Sequence, residues 1–278
     1  MVEIKTPGQI AKMREAGLVV AEIHRRCAAA AVPGATTKDL DDVAAAVLAE
    51  RNAKPNFLGY GGFPATICTS VNDVVVHGIP GRDTVLASGD LLSIDAGAIV
   101  DGWHADAALT VFVGDGHAPE LTELSRVTEE SLWAGIAAVR KGGRLVDVSR
   151  AIETYIRRQP LPSSGKYGIV ESYGGHGIGS EMHMDPHLLN YVDRRRGRGP
   201  RLVPGFCLAI EPMIALGTAK THVLPDEWTV KTNDGTWAAH WEHSVALTEE
   251  GPLVLTAVDG GRAKLAELGV TAAPDPLS

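Results

Sequence analysis

The sequence is poor in cysteine: Cys27, Cys68 and Cys207 stand far apart in 278 residues. An odd, scattered set excludes a disulfide framework, matches no zinc-ligand spacing and fits a reducing cytosol. Long apolar runs are missing as well. None approaches the roughly 18 residues that a membrane-spanning helix needs. The opening MVEIKTPGQI has no basic stretch followed by an apolar one, so no secretory signal is read there. A basic surplus is also absent. The 26 Lys and Arg face 34 Asp and Glu, a net charge of −8, which disfavours general binding to nucleic acid or to a membrane surface. What remains is ordinary globular material, 45% hydrophobic and 22% charged. A chain this long buries a sizeable core without staples.

The pattern of expected elements repeats. Helices are read over 7–31, started by Thr6 and Pro7, and over about 37–51. Strands follow at 65–70, 74–77, 91–100 and 104–113. A second pair of helices is read at about 119–140 and 146–158, then strands near 167–173, 206–215, 228–232 and 241–248. Local details echo between the halves. Gly34, Leu40, Ala44 and Leu48 match Gly142, Val148, Ile152 and Ile156 at one offset. Gly89, Leu92, Ile94 and Asp95 match Gly205, Leu208, Ile210 and Glu211 at another. A duplicated architecture explains the shared order better than chance does. Helices preceding strands in blocks imply an α+β class. No Pro/Ser-rich linker intervenes, so one domain over 1–278 is expected, with halves about 4–115 and 119–255 sharing a sheet. The stretch 256–278 reads as a tail whose Pro-rich end is mobile.

Carboxylates carry the chemical signal. In the segment 91–113, Asp101-Gly102 is a two-residue hairpin turn. That turn sets Asp95 opposite Ala108 and Asp106 opposite Gly97. The two aspartates become diagonal neighbours on one face, roughly 7–8 Å apart at the backbone. Facing solvent, they need no partner. Facing a core, they repel each other and lose hydration, and a divalent cation between them removes both penalties. Glu211 stands in an apolar segment, where a charge must be paired or liganded. Glu242 lies in another strand-like segment, and His176 in the glycine-rich Gly174–Gly179, read as a loop whose glycines let backbone and ligand approach closely. Four carboxylates and one imidazole suit two hard or borderline divalent ions. Two such ions about 3.5–4 Å apart activate water and polarise a carbonyl, which is hydrolytic chemistry. His77 and His183 are further candidates for hydrogen bonds to a substrate amide or a developing oxyanion.

Five motifs in order make the chain similar to a known family. They are His77-Gly78-Ile79-Pro80; Ile94-Asp95 with Gly102-Trp103-His104-Ala105-Asp106; Gly175-His176-Gly177-Ile178-Gly179; Ile210-Glu211-Pro212-Met213; and Glu242-His243. With these, the chain from Ile4 to about Leu255 resembles the type I methionine aminopeptidases, metallopeptidases of the pita-bread fold. The resemblance implies a pseudo-twofold α+β fold, with a curved antiparallel sheet covered by two pairs of helices. It implies two divalent ions, of cobalt, manganese, iron or zinc. Asp95 would chelate one, His176 and Glu211 the other, and Asp106 and Glu242 would bridge both. A hydroxide bridging the metals would attack the carbonyl after the first residue, with Glu211 managing the proton. His183 would stabilise the oxyanion and His77 would contact the scissile amide. Phe57, Tyr60, Phe63, Cys68, Met182 and Trp228 would line a pocket for the methionine side chain.

The same resemblance implies cytoplasmic removal of initiator methionine from nascent chains, with a preference for a small second residue. It also implies a monomer. Four positions depart from the family pattern: Phe57 for a cysteine, Met182 for a phenylalanine, Gly97 for a threonine and Asp185 for a glutamate. The segment between His183 and Glu211 is too short for the helical insertion of type II enzymes. Proline-specific relatives usually carry an extra N-terminal domain, whereas Met1 almost abuts the first helix here. A non-catalytic peptide- or ribosome-binding module is the alternative of another class, and such modules typically lose ligands. The basic run Arg194–Arg198 reads as a solvated loop more readily than as a ribosome contact.

Overall fold

The computed structural model of the chain describes residues 2–161 and 165–278. The first half opens with α1 (Pro7–Ala30) and α2 (Thr37–Glu50). Thr6 and Thr36 cap them. Each side chain accepts a backbone N–H three residues on, and Gln9 or Asp39 answers to the cap's own N–H. These reciprocal bonds satisfy donors that no helical carbonyl reaches. Then come β1 (Lys54–Pro55), a 3₁₀ turn at Tyr60–Gly62, β2 (Ile67–Val71), β3 (Val74–Val76), β4 (Leu91–Val100) and β5 (Trp103–Phe112). The second half repeats the order with α3 (Pro119–Ala137) and α4 (Leu145–Arg158). Its strands are short: β6 (Gly168–Ile169), β7 (Gly175–Gly177), β8 (Met184–Leu188), β9 (Cys207–Ile210) and β10 (Met213–Ala215). After them run β11 (Thr221–Val223), β12 (Val230–Thr232), β13 (Ala238–His240), β14 (Glu242–Leu247) and β15 (Pro252–Val254).

One nine-stranded antiparallel sheet joins the halves in the order β1-β4-β5-β14-β9-β7-β8, with β2 also on β4 and β15 on β14. The seam is β5 against β14, pairing Ala108 with Glu242 and Ala107 with His243. Helices α1 and α2 cover β4 and β5, and their core joins Val20, Ile23, Leu40 and Ala44 to Ile94 and Ala107. Helices α3 and α4 cover the other half, where Leu132, Ile136, Val148 and Ile152 meet Leu208 and Ile210. This is the expected pseudo-twofold α+β architecture. Gly89 N–H bonds Val113 O and Gly205 N–H bonds Leu247 O, both at 2.8 Å, so the repeated glycines do the same work in each half.

Two expectations need correction. The stretch Gly174–Gly179 is not simply a loop: it contains β7. A Cβ on Gly175 would stand 2.3 Å from Ala209 O, and one on Gly177 would stand 2.1 Å from Asp185 O. These glycines admit the backbone of neighbouring strands, as the reading of close backbone approach expects. Nor is the C-terminal stretch loose. It forms α5 (Arg262–Glu267) and buries Leu265 and Ala273. Fully buried Arg14 of α1 holds it. The guanidinium donates to the carbonyls of Leu255 (2.7 Å), Ala257 (2.6 Å) and Val258 (2.9 Å), and pairs with Asp275 at 2.7 Å. A buried cation requires such partners, so the Pro-rich end is tied down. Among the described residues, no helix is long and apolar enough to cross a membrane.

Candidate metal centre

The hairpin forms in the register its turn predicts. The ladder runs without a break from Leu91↔Phe112 to Val100↔Trp103, with Asp95 opposite Ala108 and Gly97 opposite Asp106. Asp101 and Gly102 take φ of 49° and 82°, as a twist-matched two-residue turn demands. Both aspartates face inward. Ser244 of β14 fixes Asp106 across the seam: its hydroxyl accepts the Asp106 N–H (2.9 Å) and donates to the Asp106 carbonyl (2.8 Å).

The second half brings its groups on separate short strands. Pro212 lacks an N–H, and the expected strand 206–215 breaks at Glu211-Pro212 into β9 and β10. Glu211 is left at the end of β9, where the ladder pairs Ile210 with His243. Glu242 begins β14 and is almost fully buried. His176 lies in β7, with Nδ1 3.0 Å from Gly177 O. Donating there, it leaves the Nε2 lone pair free, 3.6 Å from Glu211 Oε1. His240, at the end of β13, places Nε2 3.7 Å from Glu211 Oε2 and 3.9 Å from Glu242 Oε2.

Charge has no compensation within this cluster. Burial raises the pKa of Asp95, Asp106, Glu211 and Glu242, and carboxylate repulsion adds to it for the last three. Burial pushes His176 and His240 down to about 3. Asp95 Oδ1, Asp106 Oδ1, Glu242 Oε1 and His240 Nε2 are buried without a hydrogen-bond partner among the described residues. Orphaned oxygens and neutral imidazoles in one place are what a cation centre needs. The donor atoms form two sets, Asp106/His176/Glu242 and Glu211/His240/Glu242, each within 4.8 Å of one another. Glu242 belongs to both. The residues therefore fit divalent ions.

The cluster floors a cavity of about 380 Å³. Every residue to which the resemblance gives a ligand, catalytic or pocket role lines it: the four carboxylates, His77, His176, His183, Phe57, Tyr60, Phe63, Cys68, Met182 and Trp228. Phe57, Phe63, Cys68 and Met182 form one buried apolar wall, with Ile79 and Trp228 against it. His183 Nδ1 meets the Tyr60 hydroxyl at 2.8 Å. His77 has φ of 60°, a strained conformation for a residue with a side chain. Its ring lies edge-on to Tyr173 and Trp228, and burial lowers its pKa to about 4. Desolvation also lowers that of His183. Gly97 has a local reason: a Cβ there would stand 2.2 Å from Asn56 Nδ2, which donates to Ala105 O at 3.0 Å. Phe57 and Met182 leave the wall apolar. In the basic run, Arg195 and Arg196 pair with Asp193, as a solvated loop does.

Comparison with known proteins decides the family. The model of Metallopeptidase family M24 matches residues 11–249. The chain belongs to metallopeptidase family M24. Within M24 it is similar to methionine aminopeptidase 1 of Mycobacterium tuberculosis, at 54% identity over 92% of this chain and 95% of that one. Among solved M24 structures it resembles methionine aminopeptidase from Thermotoga maritima, with a TM-score of 0.86, 40% identity and coverage of 92% and 99%. The resemblance to type I methionine aminopeptidases is thereby supported. Xaa-Pro dipeptidase from Bacillus anthracis shares the fold, with a TM-score of 0.70 at 21% identity. This chain covers 61% of that one.

Among the cavity-lining residues that the sequence reading did not single out are His240 and Tyr173. His240 stands two residues before Glu242, a spacing that in an unbroken strand puts both on one face. That signal was available. Tyr173 was not signalled, because only the fold brings it against His77.

Proposed function

We propose that the chain removes the N-terminal methionine from nascent polypeptides in the cytosol, as a monomer using two divalent ions. The observation that carries this reading is the pair of donor sets sharing Glu242 at the floor of an apolar cavity. Asp95 would hold one ion and His176 with Glu211 the other, while Asp106 and Glu242 would hold both. When bound, the ions would lower the pKa of water and polarise the scissile carbonyl.

The chain's own residues supply the rest. Phe57, Phe63, Met182 and Trp228 take an unbranched thioether side chain, and the buried wall excludes a second residue from that space. Tyr60 donates its hydroxyl proton to His183 Nδ1, which orients the ring and keeps the imidazole N–H on Nε2. His183 then donates from Nε2 to the oxygen that gains charge as the carbonyl becomes tetrahedral. His77, held by Tyr173 and Trp228, contacts the scissile amide. Glu211 takes the proton of the attacking water and passes it to the departing amine. The methionine thus occupies a closed end, which supports release of one residue.

Peptide hydrolysis tests the reading. Chelator-stripped protein is offered Met-Ala-Ser, Met-Lys-Ser and Pro-Ala-Ser, and manganese or cobalt is then restored. Methionine released from Met-Ala-Ser alone, and only with metal, is the expected result. Cleavage of Pro-Ala-Ser would move the chain to the proline-specific side of M24. Ion binding without cleavage of any peptide would favour a binding module.

A further inference from the structure

The five ligands implied by the family resemblance leave His240 without a task. Its side chain is 2% exposed, yet Nε2 has no hydrogen-bond partner among the described residues. An imidazole buried in this way is costly unless something fills its lone pair. The two nearest acceptors, Glu211 Oε2 and Glu242 Oε2, lie beyond hydrogen-bond reach at 3.7 and 3.9 Å. Donors separated by this distance can converge on a common ion.

The fold's internal symmetry points the same way. At the seam, Ala108 pairs with Glu242, so the pseudo-twofold axis passes beside this pair. Two residues before Ala108 is Asp106, and two residues before Glu242 is His240. In each, one hydroxyl from across the seam bridges the backbone N–H and carbonyl, and Ser93 Oγ also accepts the His240 N–H at 3.2 Å. Ser244 Oγ accepts the Asp106 N–H and donates to the Asp106 carbonyl. Thr110 Oγ1 accepts the His240 N–H (3.1 Å) and donates to the His240 carbonyl (2.8 Å). Ser244 lies two residues after Glu242, and Thr110 two after Ala108. His240 therefore occupies, in the second half, the place that Asp106 occupies in the first.

We propose that His240 is a metal ligand, giving the centre a second imidazole through Nε2 on the side of Glu211 and Glu242. This rests on the dinuclear reading above. It makes the centre richer in nitrogen than the five-residue set implies. Imidazole suits cobalt, iron and zinc better than manganese, so His240 biases the choice of ion.

Counting imidazoles tests the idea without reference to turnover. Chelator-stripped protein labelled with ¹⁵N-histidine is loaded with two equivalents of Co(II). Each coordinated imidazole that keeps its other N–H gives one hyperfine-shifted proton resonance. Two are expected in the native protein, one in His240→Gln and the other one in His176→Gln. One resonance in the native protein, unchanged in His240→Gln, would overturn ligation by His240 and leave the dinuclear reading intact. Failure to bind Co(II) at all would overturn both. The count in the native protein decides even where His240→Gln does not fold. A competition between Co(II) and Mn(II) supplies a second readout: His240→Gln should shift preference towards Mn(II), and an unchanged ratio would count against the proposal.

Discussion

The two halves deliver acidic groups to the same floor by different means. The first uses one ten-residue-stranded hairpin, Leu91–Val100 with Trp103–Phe112, whose turn alone fixes which residues share a face. The second uses short strands interrupted at Glu211-Pro212 and at Trp241, and its ligand candidates come from β7, β9, β13 and β14. A regular hairpin is a local object. A broken set of strands holds its register only through neighbours, such as the β7 glycines pressed under Ala209 O and Asp185 O. Regularity in one half thus serves as a frame for irregularity in the other.

That comparison breaks first at the centre itself. Replacing Asp106 in the regular half or Glu211 in the irregular half by alanine should reduce turnover of Met-Ala-Ser. Each loss should exceed the roughly 10–100-fold typical of outer partners of a metal site. Near-normal kcat/KM in either variant would show that one half suffices. A second contrast concerns what ties the halves to the chain's end. Asp275→Asn removes the carboxylate partner of buried Arg14 and should cost about 3–5 kcal/mol in urea unfolding, because a charge is left uncompensated.

Smaller effects sharpen the picture. Gly97→Thr overpacks the hairpin against Asn56 and should cost about 1–3 kcal/mol, with recovery in the double variant carrying Asn56→Gly. A clash located elsewhere would leave the double variant as unstable as the single. Ser244→Ala strands the buried N–H and carbonyl of Asp106 and should cost about 1–3 kcal/mol. Thr110→Val strands only the His240 carbonyl, since Ser93 Oγ also accepts the His240 N–H at 3.2 Å, and should cost less. A loss in Thr110→Val as large as that in Ser244→Ala would show that Ser93 does not cover for the missing hydroxyl.

The smallest effect is a pH slope in the metal-free protein. Burial raises the four carboxyls. Above pH 7 the unfolded chain has shed these protons and its histidines are neutral, while the folded chain retains some. The folded state then binds more protons, and stability falls as pH rises. The Tm of stripped protein should therefore drop between pH 7 and 9, and saturating manganese should abolish the drop by holding the carboxylates ionised. A flat profile without metal would show that the carboxyls are already ionised.

Much of this was legible in the sequence. Thr6 and Thr36 announced their helices, Asp101-Gly102 announced the hairpin and its register, and the five ordered motifs announced the family. These are local signals: a cap, a turn and a spacing carry their physics within a few residues. His240 was legible in principle from its spacing to Glu242, but a lone histidine gains meaning only when its lone pair proves unfilled. The tail was misread because its proline content suggested freedom, while its partner, Arg14, lies at the opposite end of the chain.

The sequence by itself therefore determined the α+β order of elements, the face shared by Asp95 and Asp106, and the carboxylate-rich donor set. Tertiary structure alone decided which strand edges meet, that Glu242 belongs to both donor sets, and that His240 mirrors Asp106 across the seam. The reason is physical. Periodicity and turn chemistry act between near neighbours, whereas desolvation and repulsion among carboxylates arise only after distant segments have closed over them.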